Sequence, residues 1–163
     1  MGDRERVLEA LAKARTRLEE AVAGMTDDAW TAAVYENGWN AKQLLCHLVA
    51  GSPTGFIISM ASKPPEGSGS GAAGGTVTFD IDAFNRAEVA KRQDRSIDEL
   101  MDEARLASER DAELVQRTPE EILGRHYKAP WGVEGSVADV IITSLTGHTA
   151  QHLAELRTAI GGS

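Results

Sequence analysis

Two histidines near the C-terminus, His148 and His152, have the residue type and spacing of metal ligands. A separation of four residues on a helix places both imidazoles on one face, one turn apart, where both can reach a single ion. The apolar positions that lead into this pair recur at steps of four, four and three residues: Val137, Ile141, Leu145 and then His148. Both histidines are therefore predicted to face the core.

A third histidine, His47, lies inside another apolar helical segment, Leu44-Leu45-Cys46-His47-Leu48-Val49. A single histidine on an apolar face is usually a core residue with a hydrogen-bond partner, and an HxxxH pair alone often occurs by chance. Three buried imidazoles without partners would each cost about 1–3 kcal/mol to desolvate, whereas a shared divalent metal would make their burial favourable. We therefore predict that His47, His148 and His152 bind a divalent transition metal, with zinc or nickel best suited to imidazole ligands. Three protein ligands leave one coordination position open, which is typical of catalytic metal sites.

The composition restricts the class of protein. The 163 residues include 25 acidic and 17 basic side chains, and the formal net charge is −8. An acidic chain without a basic patch is not expected to bind nucleic acid. Its apolar segments are expected to be shorter than the ~20 residues of a membrane span, and its charged N-terminus does not resemble a signal peptide, so no membrane association is expected. The single cysteine, Cys46, is expected to be a buried thiol in a reducing cytoplasm.

Hydrophobic periodicity predicts four long helical segments. They cover Asp3 to about Ala23, Ala41 to about Met60, Ile97 to about Arg117, and Val137 to about Ile160. Pro53 is expected to kink or end the first half of the second segment, because a proline removes an internal hydrogen bond. A short helix is predicted over 82–92, and the stretch 124–135 is expected to be irregular. No strand is predicted.

Residues 63–76 are rich in glycine and of low complexity, which predicts a flexible loop. The segment lacks the lysine and the flanking strand and helix of a phosphate-binding loop. It is not expected to divide the chain, because the three histidines lie on both sides of it. The sequence thus predicts an all-α fold class, a four-helix bundle that forms one domain over residues 1–163.

Several segments resemble the DinB-like family. The segment 39–48 (Trp-Asn-Ala-Lys-Gln-Leu-Leu-Cys-His-Leu) resembles its second helix, and Phe84-Asn85-Arg86 followed by Ser-Ile-Asp-Glu-Leu at 96–100 resembles its middle part. Residues 131–140 and 147–152 resemble its last helix. The branch that they resemble is related to the N-terminal domain of mycothiol-dependent maleylpyruvate isomerase. The resemblance covers most of the chain outside the glycine-rich loop.

This resemblance implies a bundle of DinB-like connectivity, with a metal site between helices two and four. Carried over residue by residue, it assigns the ligands to His47, His148 and His152, the set that the spacing also indicates. One helix-four ligand is an acid in the isomerase branch, whereas both are histidines here, which weakens the case for the isomerase reaction. The resemblance also implies a homodimer and a low-molecular-weight thiol as cosubstrate.

Three functions remain open from the sequence. The leading one is a metal-dependent enzyme of the thiol-S-transferase type, in which the metal lowers the pKa of a mycothiol-class or bacillithiol-class thiol that then attacks a small-molecule electrophile. A metal-dependent hydrolase is the second, with Asp111 as a weak candidate for the general base, although a solvated position is the more ordinary expectation for this residue. A non-catalytic bundle that sequesters a small molecule or metal is the third.

The sequence assigns no catalytic residue, but it offers candidates for substrate binding. These are Trp39, Arg86, Tyr127 and Trp131. Tyr127 and Trp131 belong to the irregular stretch before the last helix, where aromatic side chains can roof a pocket. Packing in the core or in a lid is the more ordinary use of the aromatic residues. His126 lies outside any apolar pattern and is expected to be exposed.

Overall fold

The computed structural model describes residues 1–35, 37–64 and 80–160. Four long helical elements form the bundle: α1 (Asp3–Ala23), the broken pair α2 (Ala41–Ala50) and α3 (Pro53–Ser62), α5 (Ile97–Arg117) and α7 (Val137–Thr158). Two short helices, α4 (Ile81–Ala90) and α6 (Glu120–Leu123), a 3₁₀ helix (Asp27–Thr31), and two strands, β1 (His126–Lys128) and β2 (Glu134–Ser136), complete the described elements. The predicted all-α four-helix bundle is confirmed. The predicted flexible loop lies, from residue 65 onward, outside the described residues.

Polar side chains cap the helices at the positions that the sequence indicates. Asn40 Oδ1 accepts a hydrogen bond from the Gln43 amide, and Gln43 Oε1 accepts one from the Asn40 amide. Ser96 and Glu99 form the same reciprocal pair at the start of α5, and Ser136 caps α7. Each cap satisfies backbone donors that have no partner within the helix and contributes about 1 kcal/mol. The starts of the long helices could therefore be predicted closely.

The break between α2 and α3 sends the two halves of one predicted helix to different neighbours. Gly51 is extended, with φ −140°, and Pro53 takes the first helical position of α3, where its missing N–H costs nothing. The Ser52 hydroxyl accepts a hydrogen bond from the Thr54 amide and so caps α3. As a result, α2 packs against α4, α5 and α7, whereas α3 packs chiefly against α7 and α6.

The segment Ala41–Ser62, which comprises α2 and α3, departs from one expectation. Its 22 residues are long and apolar enough, by length and composition, to cross a membrane. No apolar stretch of that length was expected from the sequence, and this was wrong because the two helices follow each other with only Gly51 and Ser52 between them. Of its most apolar window, 44% is buried inside the fold. The segment thus serves as a core element of the bundle, and the predicted cytoplasmic location stays a prediction.

The core consists of three apolar clusters held between the helices. The largest joins α1, α3, α5, α6 and α7, and its fully buried members include Val7, Ile57, Leu123 and Ile141. A second cluster joins α1, α2 and α7 around Leu44 and Leu156, and a third joins α2, α4 and α5 around Leu45 and Leu100. Cys46 is buried in the third cluster, as expected. Because α2 and α7 share a cluster, their histidine-bearing faces are brought together.

A two-stranded hairpin precedes α7, and the expectation of an irregular stretch without strands was wrong. Strands β1 and β2 are antiparallel, with Tyr127 opposite Gly135. Each strand has only three residues, which is too short for the alternating pattern that identifies a strand in sequence. The hairpin connection contains Trp131 and Gly132, whose φ of +92° favours glycine. His126 is exposed on β1, as expected, with Nε2 3.0 Å from a carboxylate oxygen of Glu134.

Thr54→Val is expected to raise the free energy of unfolding by about 1 kcal/mol. Thr54 is fully buried, and its hydroxyl has no hydrogen-bond partner among the described residues. A buried hydroxyl without a partner costs about 1–3 kcal/mol, and valine has nearly the same shape. Equilibrium urea denaturation measures the change. Thr118→Val is the matched control, because the buried Thr118 hydroxyl donates to the Leu114 carbonyl at 2.7 Å, and its loss should not stabilise the protein. A less stable Thr54→Val protein would contradict the prediction.

Candidate metal centre

Three imidazoles converge where α2 crosses α7. His47 comes from α2, and His148 and His152 come from α7. The ring centroid of His47 lies 5.4 Å from that of His148 and 5.1 Å from that of His152, and the centroids of the latter two rings are 4.4 Å apart. One nitrogen of each ring lies within 4.8 Å of the corresponding nitrogens of the other two. The structure therefore brings together all three histidines that the sequence analysis predicted as metal ligands.

The local sequence explains why the rings point inward. The fully buried Leu44 precedes His47 by three residues, and the fully buried Leu156 follows His152 by four. Side chains three or four residues apart share a helix face, so the apolar neighbours that anchor each helix also aim its histidines at the other helix. Burial differs among the three: His152 is 3% exposed and His47 is half-buried, whereas His148 is exposed at the rim. The prediction that both α7 histidines face the core was therefore wrong for His148.

The electrostatics of the centre favour neutral imidazoles. Burial, together with the neighbouring His152 and His148, lowers the pKa of His47 to about 4. The pKa of His148 is also lowered, first because its ring is desolvated among the other rings and second because of His152. His47 is thus uncharged at neutral pH, with a nitrogen lone pair available. Neutral imidazole is the form that binds a transition metal.

Hydrogen bonds orient the ring of His152. Its Nδ1 lies 2.6 Å from the Oε2 of Glu155, and its Nε2 lies 3.0 Å from the Nε2 of His148. A carboxylate only accepts hydrogen bonds, so Nδ1 carries the proton and Nε2 presents its lone pair to the other rings. His148 is then the donor between the two Nε2 atoms, and a bound metal would replace this proton. This arrangement holds the Nε2 atoms of His148 and His152 at the centre of the site.

An aromatic wall covers one side of the histidines. The Trp39 ring is 5.4 Å from that of His47, and the Tyr35 ring is 5.4 Å from that of His152 in an edge-on contact. Tyr35 and Trp39 also stack on each other at 5.9 Å. A turn places them there, since the Gly38 amide donates to the Tyr35 carbonyl and Gly38 has a φ of +90°. Trp39, a predicted substrate-binding residue, therefore contacts a predicted ligand.

A polar cavity of about 380 Å³ opens next to this wall and is lined by all three histidines. Its other lining side chains are mostly polar: Tyr35, Asn37, Trp39, Asp82, Asn85, Arg86 and Gln151. Arg86, another predicted substrate-binding residue, forms no ion pair among the described residues. A cation without a carboxylate partner can bind an anionic group of a ligand.

A second cavity, of about 470 Å³, adjoins the other side of the histidines and is predominantly apolar. His47, His148 and Asn85 line both cavities. The walls of the second cavity include Pro53, Phe56, Ile81, Trp131 and Val133. Trp131 lies 5.9 Å from the Phe56 ring and donates a hydrogen bond from Nε1 to Ser144, which orients the indole over the cavity. The two cavities meet at the histidines.

Comparison with known proteins identifies the family. The family model of the DinB superfamily matches residues 10–156. The chain belongs to the DinB superfamily. Among solved structures, it is similar to YfiT from Bacillus subtilis, described as a probable metal-dependent hydrolase with an unusual four-helix bundle topology. The TM-score is 0.66 at 14% identity, over 96% of this chain and 85% of YfiT, a likeness that shows the fold alone. A search of curated proteins found no significant match.

Two predicted residues lie elsewhere in this DinB-superfamily bundle. Tyr127 packs against the largest core cluster and lines neither of the two cavities that meet at the histidines. Asp111 lines a separate cavity of about 100 Å³, on the α5 side of His148. Burial raises the pKa of Asp111, although a hydrogen bond from Ser52 acts in the opposite direction. Asp111 is therefore partly desolvated, which corrects the expectation of a solvated position.

Sequence reasoning missed several residues of this DinB-superfamily site. Glu155 follows His152 by three residues, so the helical spacing was available as a signal. Gln151 could have been found as the neighbour of His152 that faces the same opening. Tyr35 and Phe56 gave no signal, because their approach to the histidines depends on a turn and on the direction of α3 after the break at Pro53.

Proposed function

We propose that this DinB-superfamily chain is a metal-dependent enzyme that transfers a low-molecular-weight thiol to an apolar electrophile. The observation that carries the proposal is the pair of cavities that meet at His47 and His148, one lined mostly by polar side chains and the other predominantly apolar. A reaction between a hydrophilic thiol and an apolar partner needs two such compartments with one shared point. A single closed pocket would suit sequestration better than transfer.

The residues present fit a divalent transition metal. Nitrogens that bind one ion at about 2.0–2.1 Å lie roughly 3 to 3.5 Å from one another. The Nε2 atoms of His148 and His152 are already 3.0 Å apart, and the third nitrogen lies within 4.8 Å, so a small rotation of His47 would complete the set. All donors are imidazoles, which suits zinc or nickel. A bound divalent cation would lower the pKa of a thiol and so raise its thiolate fraction at neutral pH.

The side chains around the histidines would bind and orient the two reactants. Asn37, Asn85 and Gln151 offer amide groups to the polar part of a thiol such as mycothiol or bacillithiol. Arg86 would bind an anionic group on either reactant. On the other side, Phe56 and Trp131 would hold the apolar electrophile and exclude water from the attacking sulfur. A homodimer, implied by the family resemblance, stays a prediction.

Hydrolysis is the second candidate, and Asp82 favours it. This carboxylate lines the polar cavity together with the three histidines, where it could accept a proton from water. The similar fold of YfiT, described as a probable metal-dependent hydrolase, is consistent with this alternative. Thiol transfer needs no such base, because the thiolate is itself the nucleophile.

The zinc-loaded protein is expected to accelerate addition of a thiol to an electrophile. The probe is 1-chloro-2,4-dinitrobenzene, in which a thiolate displaces chloride and forms a coloured thioether. Mycothiol, bacillithiol, glutathione and cysteine would be compared, with metal-free protein and His47→Ala as controls. The expected rate of thioether formation depends on both the metal and the thiol and is at least tenfold above the uncatalysed rate.

Two other outcomes would contradict this proposal. Cleavage of p-nitrophenyl acetate without thiol, lost in Asp82→Asn, would favour hydrolysis instead. Retention of the electrophile without turnover, across all four thiols, would favour sequestration.

A further inference from the structure

Glu155 contacts one of the three histidines of the metal centre. It lies on α7, one turn after His152, and its Oε2 is 2.6 Å from the Nδ1 of that ring. The Glu155 side chain is 22% exposed and the His152 side chain only 4%. Exposed ion pairs one turn apart on a helix are common and weak. This contact differs, because one partner is buried and its other nitrogen faces the centre.

We propose that Glu155 is the positioning residue of the metal centre, holding His152 in the tautomer and orientation that a metal requires. The proposal rests on the metal site of the proposed function. A carboxylate that accepts a proton from Nδ1 leaves Nε2 unprotonated, and that Nε2 lies 3.0 Å from the Nε2 of His148. The same hydrogen bond makes the imidazole a stronger donor toward a cation.

The second oxygen of Glu155 extends this arrangement to the cavity wall. The side-chain amide of Gln151 donates to Oε1 at 3.4 Å. Gln151 and His152 both line the polar cavity. With both oxygens engaged, the carboxylate cannot rotate without breaking a contact. The Glu155 rotamer is thus fixed by two contacts. One is with the metal ligand His152, and the other is with Gln151, whose side chain a bound molecule would contact.

Glu155→Ala is expected to lower zinc affinity by about 10- to 100-fold, the effect typical of losing a carboxylate partner of a metal-binding histidine. Glu155→Gln should lower zinc affinity less, because the glutamine amide oxygen still accepts the hydrogen bond from Nδ1. Some affinity should still be lost, because the amide carries no charge. Zinc affinity is measured by competition with a chromogenic chelator at pH 7.5. Glu113→Ala is the control, since Glu113 is an exposed glutamate on α5 whose nearest cation, Arg117, is 3.9 Å away. Its zinc affinity should match that of the wild type.

The tautomer provides a readout that needs no metal. In the metal-free protein at pH 7.5, the ¹⁵N spectrum of His152 should show a protonated Nδ1 and an unprotonated Nε2. Glu155→Ala should convert this signature to a mixture of tautomers, and Glu155→Gln should largely preserve it. If Glu155→Ala does not fold, the tautomer of His152 in the wild type still decides the question, because a proton on Nε2 would refute the positioning role.

Three results would overturn the inference. They are equal zinc affinity in the wild type and Glu155→Ala, a wild-type His152 protonated on Nε2, and a wild type that binds no zinc. The first two leave the proposed thiol transfer intact, because that is measured separately. Conversely, zinc binding that weakens in Glu155→Ala, in a protein that transfers no thiol, would refute the proposed function and support the positioning role.

Discussion

His47→Ala is expected to abolish metal binding while the helical bundle remains folded. His47 is the one predicted ligand on α2, so its loss leaves only His148 and His152, both on α7. Two ligands on a single helix turn bind far more weakly than three that converge from two helices, and affinity should fall by about 10³-fold or more. Folding should survive, because three apolar clusters join the helices independently of the histidines.

The measurements are metal content by mass spectrometry and helicity by circular dichroism. The wild type should hold about one divalent transition metal per chain, and His47→Ala should hold almost none. The matched control is His126→Ala, which removes an exposed histidine of the β1–β2 hairpin and should retain the metal. Full retention by His47→Ala would refute the three-histidine site. Complete unfolding would show instead that the site is structural.

Arg92→Ala is expected to lower the free energy of unfolding by about 2–3 kcal/mol. The Arg92 guanidinium lies 2.8 Å from a carboxylate oxygen of Glu88 on α4 and 2.7 Å from one of Glu103 on α5. The side chains of Arg92 and Glu88 are each only 14% exposed, and that of Glu103 is 21% exposed. Removing the guanidinium takes from Glu88 and Glu103 the cation that they share, although Glu88 keeps Lys91 and Glu103 keeps Arg95. Breaking a fully buried pair costs about 3–5 kcal/mol, and the remaining exposure and the remaining cations reduce this figure.

The loss should be concentrated in α4, which also bears on the proposed function. This helix carries Asn85 and Arg86 into the polar cavity, and the ion pairs of Arg92 connect its C-terminal end to α5. Urea denaturation gives the stability change, and amide hydrogen exchange should show faster opening of α4 than of α7. Arg105→Ala is the control, because its pair with Glu109 is exposed and should contribute less than ~1 kcal/mol. Equal stability of Arg92→Ala and the wild type would refute the structural role.

The pH dependence of this interaction has a definite sign. Lys91 first, and Arg92 second, hold the pKa of Glu88 below its ordinary value. A carboxyl with a depressed folded-state pKa stabilises the protein above its unfolded pKa of about 4.3, and the effect is lost as the pH falls through the folded pKa. The difference in stability between the wild type and Arg92→Ala should therefore be full at pH 7 and shrink below about pH 4.

The ligand set and the helices could be predicted because they depend on local spacing. His148 and His152 share a helix face at any position in a fold, and Asn40 or Ser96 caps a helix through its own backbone. The predicted bounds of α1 and α5 therefore agree with the structure. Pro53 marks the break between α2 and α3 for the same local reason. The approach of His47 to the other two followed from the chemistry of burying three imidazoles.

The surroundings of the histidines depend on how the helices pack, which no local pattern specifies. Trp131 and Tyr127 lie four residues apart, yet the β1–β2 hairpin turns one over the apolar cavity and the other onto the core. Asp111 has the sequence pattern of a boundary residue, but the packing of α5 against α1 and α2 encloses it beside a small cavity. The sequence by itself determined which side chains can bind a metal, because spacing on a helix sets their direction. Only the tertiary structure decided that a polar and an apolar cavity meet at these histidines, because cavities form between elements that are distant in sequence.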